Sequence, residues 1–304
     1  MSYVFGPVPS RRLGRSLGVD LVPYKACSYD CIYCQLGRTT LKTVERKEWV
    51  PFDEVVADLC GMLDSKPDYI TLSGSGEPTL YSRIGDLIEC IRSITDIPVA
   101  ILTNGSLLWC REVREQLLNA NLVIPSLDAS DQAMFSAVNR PHDDISFEKM
   151  LEGLIAFSRE FHGLYQLEVF VLGGYSAIPG EMRKIADFVR RIKPASVHLN
   201  TVIRPPAEEY AKGAGEGCMK QLSALFDPPA EIIADFHADM TGEKFTATRD
   251  ALLDMLERRP CTIEDIASGL NIHRNEAIKY VQELSARNQV KHSVSAGNTY
   301  YSVR

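Results

Sequence analysis

The chain has 304 residues, 45% of them apolar, and a formal net charge of -7, a length that accommodates one large domain and one small one. No stretch approaches the ~18 apolar residues of a membrane span, the opening "MSYVFGPVPSRRLGRSLG" lacks the apolar core of a signal peptide, and the acidic balance gives no global footprint for nucleic acid. A cytoplasmic protein is expected, in which eight cysteines point to metal or redox chemistry sooner than to cross-links.

In chain order, residues 16–24 (SLGVDLVPY) alternate and then run apolar, as a strand does. Residues 51–65 have helical spacing, with Val55, Val56, Leu59, Met62 and Leu63 on one face. Residues 67–74 (PDYITLSG), a short apolar run closed by glycine, predict a buried strand. Then follow a helix (83–94), a strand (97–105), a helix (111–120), a strand (121–129), a helix (147–161), a strand (165–174), a helix (180–192) behind Pro179, and a strand (195–201). Strands alternating with helices predict an α/β protein with a parallel sheet. Six such strands suggest a partial (β/α)6 TIM-like barrel over residues 1–230, with its chemistry at the C-terminal strand ends.

After Asp227-Pro228-Pro229 the pattern changes, and residues 231–304 predict a linker and a second, small domain. A helix over 246–260 stops at Pro260. Thr262 and Asp265 cap the next helix, which Gly269 ends. A longer helix turns Ala277, Ile278, Val281 and Leu284 inward, and a hairpin is expected around Ala296, Gly297 and Asn298. This is the order of a winged helix-turn-helix, with Arg274, Asn275, Lys279 and Gln282 on the outward face of its third helix. Residues 245–304 carry eight Arg/Lys and seven Asp/Glu, a balance of +1 against -8 (25 minus 33) for the rest. That falls short of a phosphate-binding stripe, so binding of nucleic acid, docking of a protein or peptide, and a structural role stay open.

The chemistry concentrates at the strand ends. The stretch "YKACSYDCIYCQLGR" puts Cys27, Cys31 and Cys34 within eight residues after the first strand. Three thiols so close cannot all pair as disulfides. No nearby His or Cys supplies the fourth ligand of a structural zinc site, which makes zinc a distant alternative. "SGSGEPTL" follows the second strand, Asn104 the third, Ser126 and Asp128 the fourth, Gly173 and Gly174 the fifth.

The spacing Cys27-x-x-x-Cys31-x-x-Cys34, with Tyr33 before the last cysteine, resembles the signature of radical S-adenosylmethionine (SAM) enzymes, and the resemblance covers roughly residues 5–205. It implies that the three thiolates hold three irons of a 4Fe–4S cluster, leaving the fourth iron for the amino and carboxylate groups of SAM. Gly74-Ser75-Gly76-Glu77-Pro78 is similar to the family's Gly-Gly-Glu-Pro loop, with Ser75 as a departure. By that resemblance Glu77 accepts from the SAM ammonium, and the glycines permit close backbone approach. Tyr33 packs beside adenine, Asn104, Ser126 and Asp128 contact ribose or carboxylate, and Gly173 meets adenine with its backbone. Asn104 is equally a turn former, Asp128 equally a helix cap, and Ser126 equally a satisfied core residue.

The family resemblance implies an enzyme that cleaves SAM to a 5'-deoxyadenosyl radical, with no side chain as general base and a flavodoxin or ferredoxin as electron donor. The opening residues and "TVIRPP" (201–206) narrow it to the wyosine-synthase-related subgroup, whose name rests on a tRNA enzyme. That enzyme carries cysteines for a second cluster, whereas Cys60, Cys90, Cys110, Cys218 and Cys261 are scattered here. An RNA base, a peptide or a metabolite is therefore the expected substrate. Cys60 and Cys90 read as buried thiols on helix faces, and Cys218 as a loop thiol beyond the last strand. Lys25, Arg38 and Arg204 are candidates for orienting substrate, and Arg11, Arg12 and Arg15 form a basic segment on the mouth or the outer wall. The alternative class is a transcription regulator sensing iron, oxygen or SAM through the cluster. Glu77 and the other loops discriminate, since a sensor has no need of them.

Overall fold

The computed structural model describes residues 3–10, 12–203, 206–234, 249–270, 272, 274–295 and 298–304. An eight-stranded sheet holds strands in sequence order: β1 (Val4–Ser10), β2 (Gly14–Val19), β3 (Tyr69–Leu72), β4 (Val99–Thr103), β5 (Leu122–Pro125), β6 (Leu164–Val171), β7 (Ser196–Thr201) and β8 (Glu231–Ile232). β1 runs antiparallel to β2, and every later neighbour is parallel. Parallel neighbours need crossovers. These are α1 (Phe52–Met62), α2 (Ile84–Ile94), α3 (Arg111–Leu117), α4 (Gln132–Val138) with α5 (Phe147–Glu160), α6 (Pro179–Ile192) and α7 (Glu216–Ser223).

The six expected strands are all present. β6 shows why their two faces differ. Its odd residues Tyr165, Leu167, Val169 and Val171 are buried in the main core, while Glu168 and Phe170 line a cavity of about 410 Å³. Residues of β1 to β7 and Ile233, just past β8, line that same cavity, so the sheet wraps around it as an incomplete barrel. The outer face is sealed by amphipathic helices. On α1, Val55 and Leu59 are fully buried while Val56, Met62 and Leu63 pack partly buried, the face the spacing predicts. Each fully buried aliphatic side chain contributes ~1.5–3 kcal/mol.

The structure corrects several expectations. β1 forms where no element was expected, because Gly6, Pro7 and Pro9 break its apolar run; as an edge strand it tolerates prolines. Cys218 lies on α7, packed against the core with its thiol 3.9 Å from the Ala177 carbonyl, not in a loop. Cys60 is exposed and Cys90 half-buried, so neither is a fully buried thiol. β8 pairs with β7, so the sheet continues past residue 230.

A second unit follows: α8 (Arg249–Arg258), α9 (Ile263–Gly269), α10 (Arg274–Ala286), and an antiparallel pair β9 (Val290–Ser295) and β10 (Asn298–Val303). It has its own core, including Leu252, Leu256, Ile266, Ala277, Val281 and Leu284. Thr262 and Asp265 form the expected capping box. Gln282 is exposed, as expected. Arg11, Arg204, Ala296, Gly297 and the side chains of Arg274, Asn275 and Lys279 fall outside the described residues.

Packing is tight where α5 crosses the loop before α3. A Cβ on Gly153 would stand 2.3 Å from the Trp109 nitrogen and 2.5 Å from the Leu108 carbonyl carbon. Both are backbone atoms, so the helix itself must move. Gly153→Ala is expected to destabilise the fold by about 1–3 kcal/mol, read as a lower urea midpoint at unchanged slope. A wild-type midpoint would contradict this packing.

Candidate functional site

The cysteine loop and the glycine loop meet backbone to backbone. The Lys25 N–H donates to the Ser75 carbonyl at 2.7 Å, and the Glu77 N–H to the Ala26 carbonyl at 3.2 Å. A Cβ on Gly76 would lie 1.8 Å from that same Ala26 oxygen, so only glycine fits. On the other side of the cysteine loop, Ala26 and Cys27 pair with Leu41 and Lys42.

Each of the three thiols has a side-chain nitrogen donor beside it. Lys25 Nζ donates to Cys34 Sγ at 3.1 Å, Asn104 Nδ2 to Cys27 Sγ at 3.5 Å, and Asn139 Nδ2 to Cys31 Sγ at 3.5 Å. Burial first, then the Glu77 carboxylate, push the Cys27 thiol up to about 12. Burial, then Cys27 and Asp128, push Cys31 well above the ordinary thiol value. Thiolates at Cys27 and Cys31 therefore call for a bound cation to offset them. Among the described residues no three His, Cys, Asp or Glu side chains gather closely enough for a single metal ion. Three thiols that each take a different iron suit a cluster instead.

Glu77 is buried at the first turn of a short 3-10 helix (Pro78–Leu80). Its Oε1 accepts from the Thr79 N–H at 3.1 Å, the Thr79 hydroxyl at 2.5 Å and the Thr103 hydroxyl at 2.6 Å; its Oε2 accepts from the Asn104 N–H at 2.8 Å. Burial raises its pKa against these bonds. Oε2 retains capacity for another donor.

Asp128 is buried, and burial raises it to about 6. It accepts from the Tyr33 hydroxyl, from Asn139 Nδ2 at 2.9 Å and from the Phe170 N–H at 2.9 Å. Asp131, not Asp128, caps the following helix. Tyr33 stacks on Phe170 with ring centroids 3.9 Å apart.

Tyr33, Cys34, Gly74, Gly76, Asn104 and Ser126 line the cavity. Cys27, Cys31, Glu77 and Asp128 stand behind this lining through the bonds just given, and Pro78 is buried beside Glu77. Gly173 does not line it; its N–H is held by the Lys212 carbonyl at 2.9 Å. Deeper in, Arg12 pairs with Glu168, which also accepts from Asn200 Nδ2 at 3.2 Å. Arg15 instead donates to the Ser65 carbonyl at 2.9 Å, and Arg38 pairs at 3.0 Å with Glu208 on the surface. Lys25 serves a cysteine, where substrate orientation was one expectation for it. Sequence reasoning missed Asn139 and Glu168; Glu168, a carboxylate in an apolar strand, carried a signal, and Asn139 carried none.

The model of the Radical SAM superfamily matches residues 21–192, just over half of the chain. The chain belongs to this superfamily, whose cofactors are a 4Fe–4S cluster and S-adenosylmethionine. It is 39% identical over 285 residues to a UPF0026 protein of Methanocaldococcus jannaschii, covering 92% of this chain and 85% of that one. It is 33% identical over 296 residues to a UPF0026 protein of Helicobacter pylori J99, covering 95% and 94%. A Brachyspira hyodysenteriae protein named GTPase Obg is 40% identical over 305 residues, 99% of this chain, and the chain spans 45% of its length. The chain holds no Gly-Lys pair and so no G-x-x-x-x-G-K-[ST] loop.

The fold is similar to a radical SAM methyltransferase from Sphaerobacter thermophilus, with TM-score 0.57, 14% identity, and coverage of 74% of this chain and 68% of that one. It is also similar to SAM-bound SuiB of Streptococcus suis, with TM-score 0.53, 14% identity, and coverage of 76% and 53%.

Two outcomes test the site. Gly76→Ala should part the two loops, cost at least ~1–2 kcal/mol of lost backbone bonds, and weaken SAM about tenfold or more in equilibrium dialysis. Lys25→Met removes a donor that favours the more negative, reduced cluster. Its midpoint in an EPR-monitored redox titration should move to lower potential; an unmoved midpoint would rule the contact out.

Proposed function

We propose that this chain is a radical SAM enzyme acting on a substrate bound in the 410 Å³ cavity. One observation carries the reading: three thiols, each with its own N–H donor, on a loop pinned through Gly76 to the loop of Glu77. When bound, the reduced cluster and SAM supply methionine and a 5'-deoxyadenosyl radical, which takes a hydrogen atom from substrate. Cys27, Cys31 and Cys34 hold three irons. Glu77 Oε2 accepts from the SAM ammonium, Gly74, Gly76 and Pro78 shape the approach, and Tyr33, Asn104 and Ser126 contact the rest. Asp128 acts through Tyr33, whose hydroxyl it holds. A low-potential flavodoxin or ferredoxin supplies the electron. The barrel walls exclude water, which protects a reactive intermediate.

The cavity sits at the lower end of the ~300–1,000 Å³ range of small-molecule sites. Beside SAM it suits a small molecule or one base or side chain of a larger one. Arg12, Glu168 and Asn200 give it a polar region, while Leu13, Leu102 and Ile124 give an apolar one. The opening segment and residues 201–206 resemble wyosine-synthase-related proteins, which puts a nucleobase first among substrates to try. Residues 249–303 read as a winged helix-turn-helix, with the barrel unit taking in β8 (Glu231–Ile232) and the linker and second domain following it; nucleic acid or peptide is its proposed partner. The comparisons lend no support to a transcription regulator.

The decisive experiment is anaerobic. Protein reconstituted with iron and sulfide receives SAM and dithionite, and 5'-deoxyadenosine is sought by mass spectrometry. Wild type should form it and Cys31→Ala should not. A brown, SAM-binding protein that never forms the nucleoside, with or without candidate nucleobases, peptides or metabolites, would sink the enzyme reading.

A further inference from the structure

The sheet ends at β1 on one side and β8 on the other, and among the described residues no strand bridges the gap. α8 stands there. Its Met255 and Arg258, and Arg259 just after it, line the cavity together with Phe5 and Val8 of β1 and with Ile233, just past β8. Val8 packs against the core of the C-terminal unit, and the Tyr300 hydroxyl donates to the Ile203 carbonyl beyond β7. The unit is thus fastened on both sides of the gap.

Arg258 is a largely buried side chain of this wall, 16% exposed against 12% for its partner Asp20. Its guanidinium pairs with Asp20 Oδ2 and lies 3.9 Å from the centre of the Phe5 ring. That ring in turn covers Gly18, where a Cβ would stand 2.2 Å from it. Asp20 follows directly after β2. Its Oδ1 accepts the Ser75 N–H at 2.7 Å, and a Cβ on Gly74 would come within 1.8 Å of the same oxygen. One carboxylate therefore faces α8 with one oxygen and the glycine loop with the other.

We propose that α8 is the missing wall of the cavity and that Arg258, through Asp20, is a positioning residue for the SAM-binding loop of Gly74 to Glu77. The inference rests on the assignment of that loop to SAM. A buried carboxylate deprived of its cation is strongly disfavoured, so without Arg258 Asp20 turns to water or takes a proton, and the Ser75 anchor slackens. Coupling of this kind is reciprocal: whatever seating α8 does for SAM affinity, SAM does for the seating of α8.

The test uses the full chain with its cluster reconstituted. Iron and sulfide content, SAM affinity by equilibrium dialysis, and hydrogen exchange of residues 249–259 with and without SAM are measured for wild type, Arg258→Gln and Arg258→Lys. The expected result is equal cluster content, SAM weakened about tenfold or more in Arg258→Gln, and most of the affinity kept in Arg258→Lys. In wild type, SAM slows exchange in α8, and in Arg258→Gln it does not. Wild-type SAM affinity in Arg258→Gln, or α8 exchange indifferent to SAM in wild type, overturns the coupling while leaving the SAM loop assigned. A wild-type protein that holds its cluster and binds no SAM overturns the loop assignment and the coupling with it. If Arg258→Gln loses its fold, the wild-type exchange decides alone.

Discussion

The approach of Gly76 to the Ala26 carbonyl is the constraint from which the site follows. Two loops from different strand ends can share backbone hydrogen bonds only if no side chain stands between them. The Glu77 N–H and the Lys25 N–H close that contact from both directions. Cys27 follows Ala26, and Glu77 follows Gly76, so one contact sets the thiol and the carboxylate relative to each other. β2 and β3 are adjacent parallel strands, which brings the two loops to the same end of the sheet.

Electrostatics at this contact is arranged for a cation that the chain does not itself supply. Glu77, Asp128, Cys27 and Cys31 are all pushed toward their neutral forms by burial. The nearest positive side chain is Lys25, whose ammonium is committed to Cys34. A buried group of would-be anions with donors already aimed at its sulfurs costs stability until metal binds, and metal then releases the thiol protons. The thiol donors come from three separate places, the cysteine loop, the end of β4 and the residue after α4; the last two are 77 and 108 residues from their thiols, so those contacts form only when the barrel has closed around them.

Much of this was legible in the sequence because it depends on local pattern. Apolar runs of strand length mark β2 to β7, and the eight-residue cysteine spacing marks the three thiols that stand beside Lys25, Asn104 and Asn139. Local pattern fails where a residue's role depends on what lies across the fold. β1 was hidden because Gly6, Pro7 and Pro9 erase the strand pattern that an edge position tolerates. Cys218 was misplaced because its glycine-rich surroundings read as a loop, although Met219 and Leu222 give α7 a buried face. Cys60 sits on a predicted helix, but on its solvent side. Arg12 with Glu168, and Arg258 with Asp20, pair residues far apart in the chain, and no periodicity announces such partners.

An open barrel has two weaknesses at once. Its edge strands expose unpaired backbone groups that invite other strands, and its interior is open to water on one side. β8 limits the first weakness by being only two residues long, and β1 by its prolines. Those devices leave the second untouched, since a short or broken edge makes the gap wider. Covering β1 with α8 and α9 addresses both, and the cavity lining shows that the cover reaches inside: Met255, Arg258 and Arg259 stand among side chains from the sheet. A covering element that served the edge alone would present apolar residues there. Arg258, facing the interior and tied to the carboxylate that anchors the glycine loop, marks α8 as part of the cavity it closes.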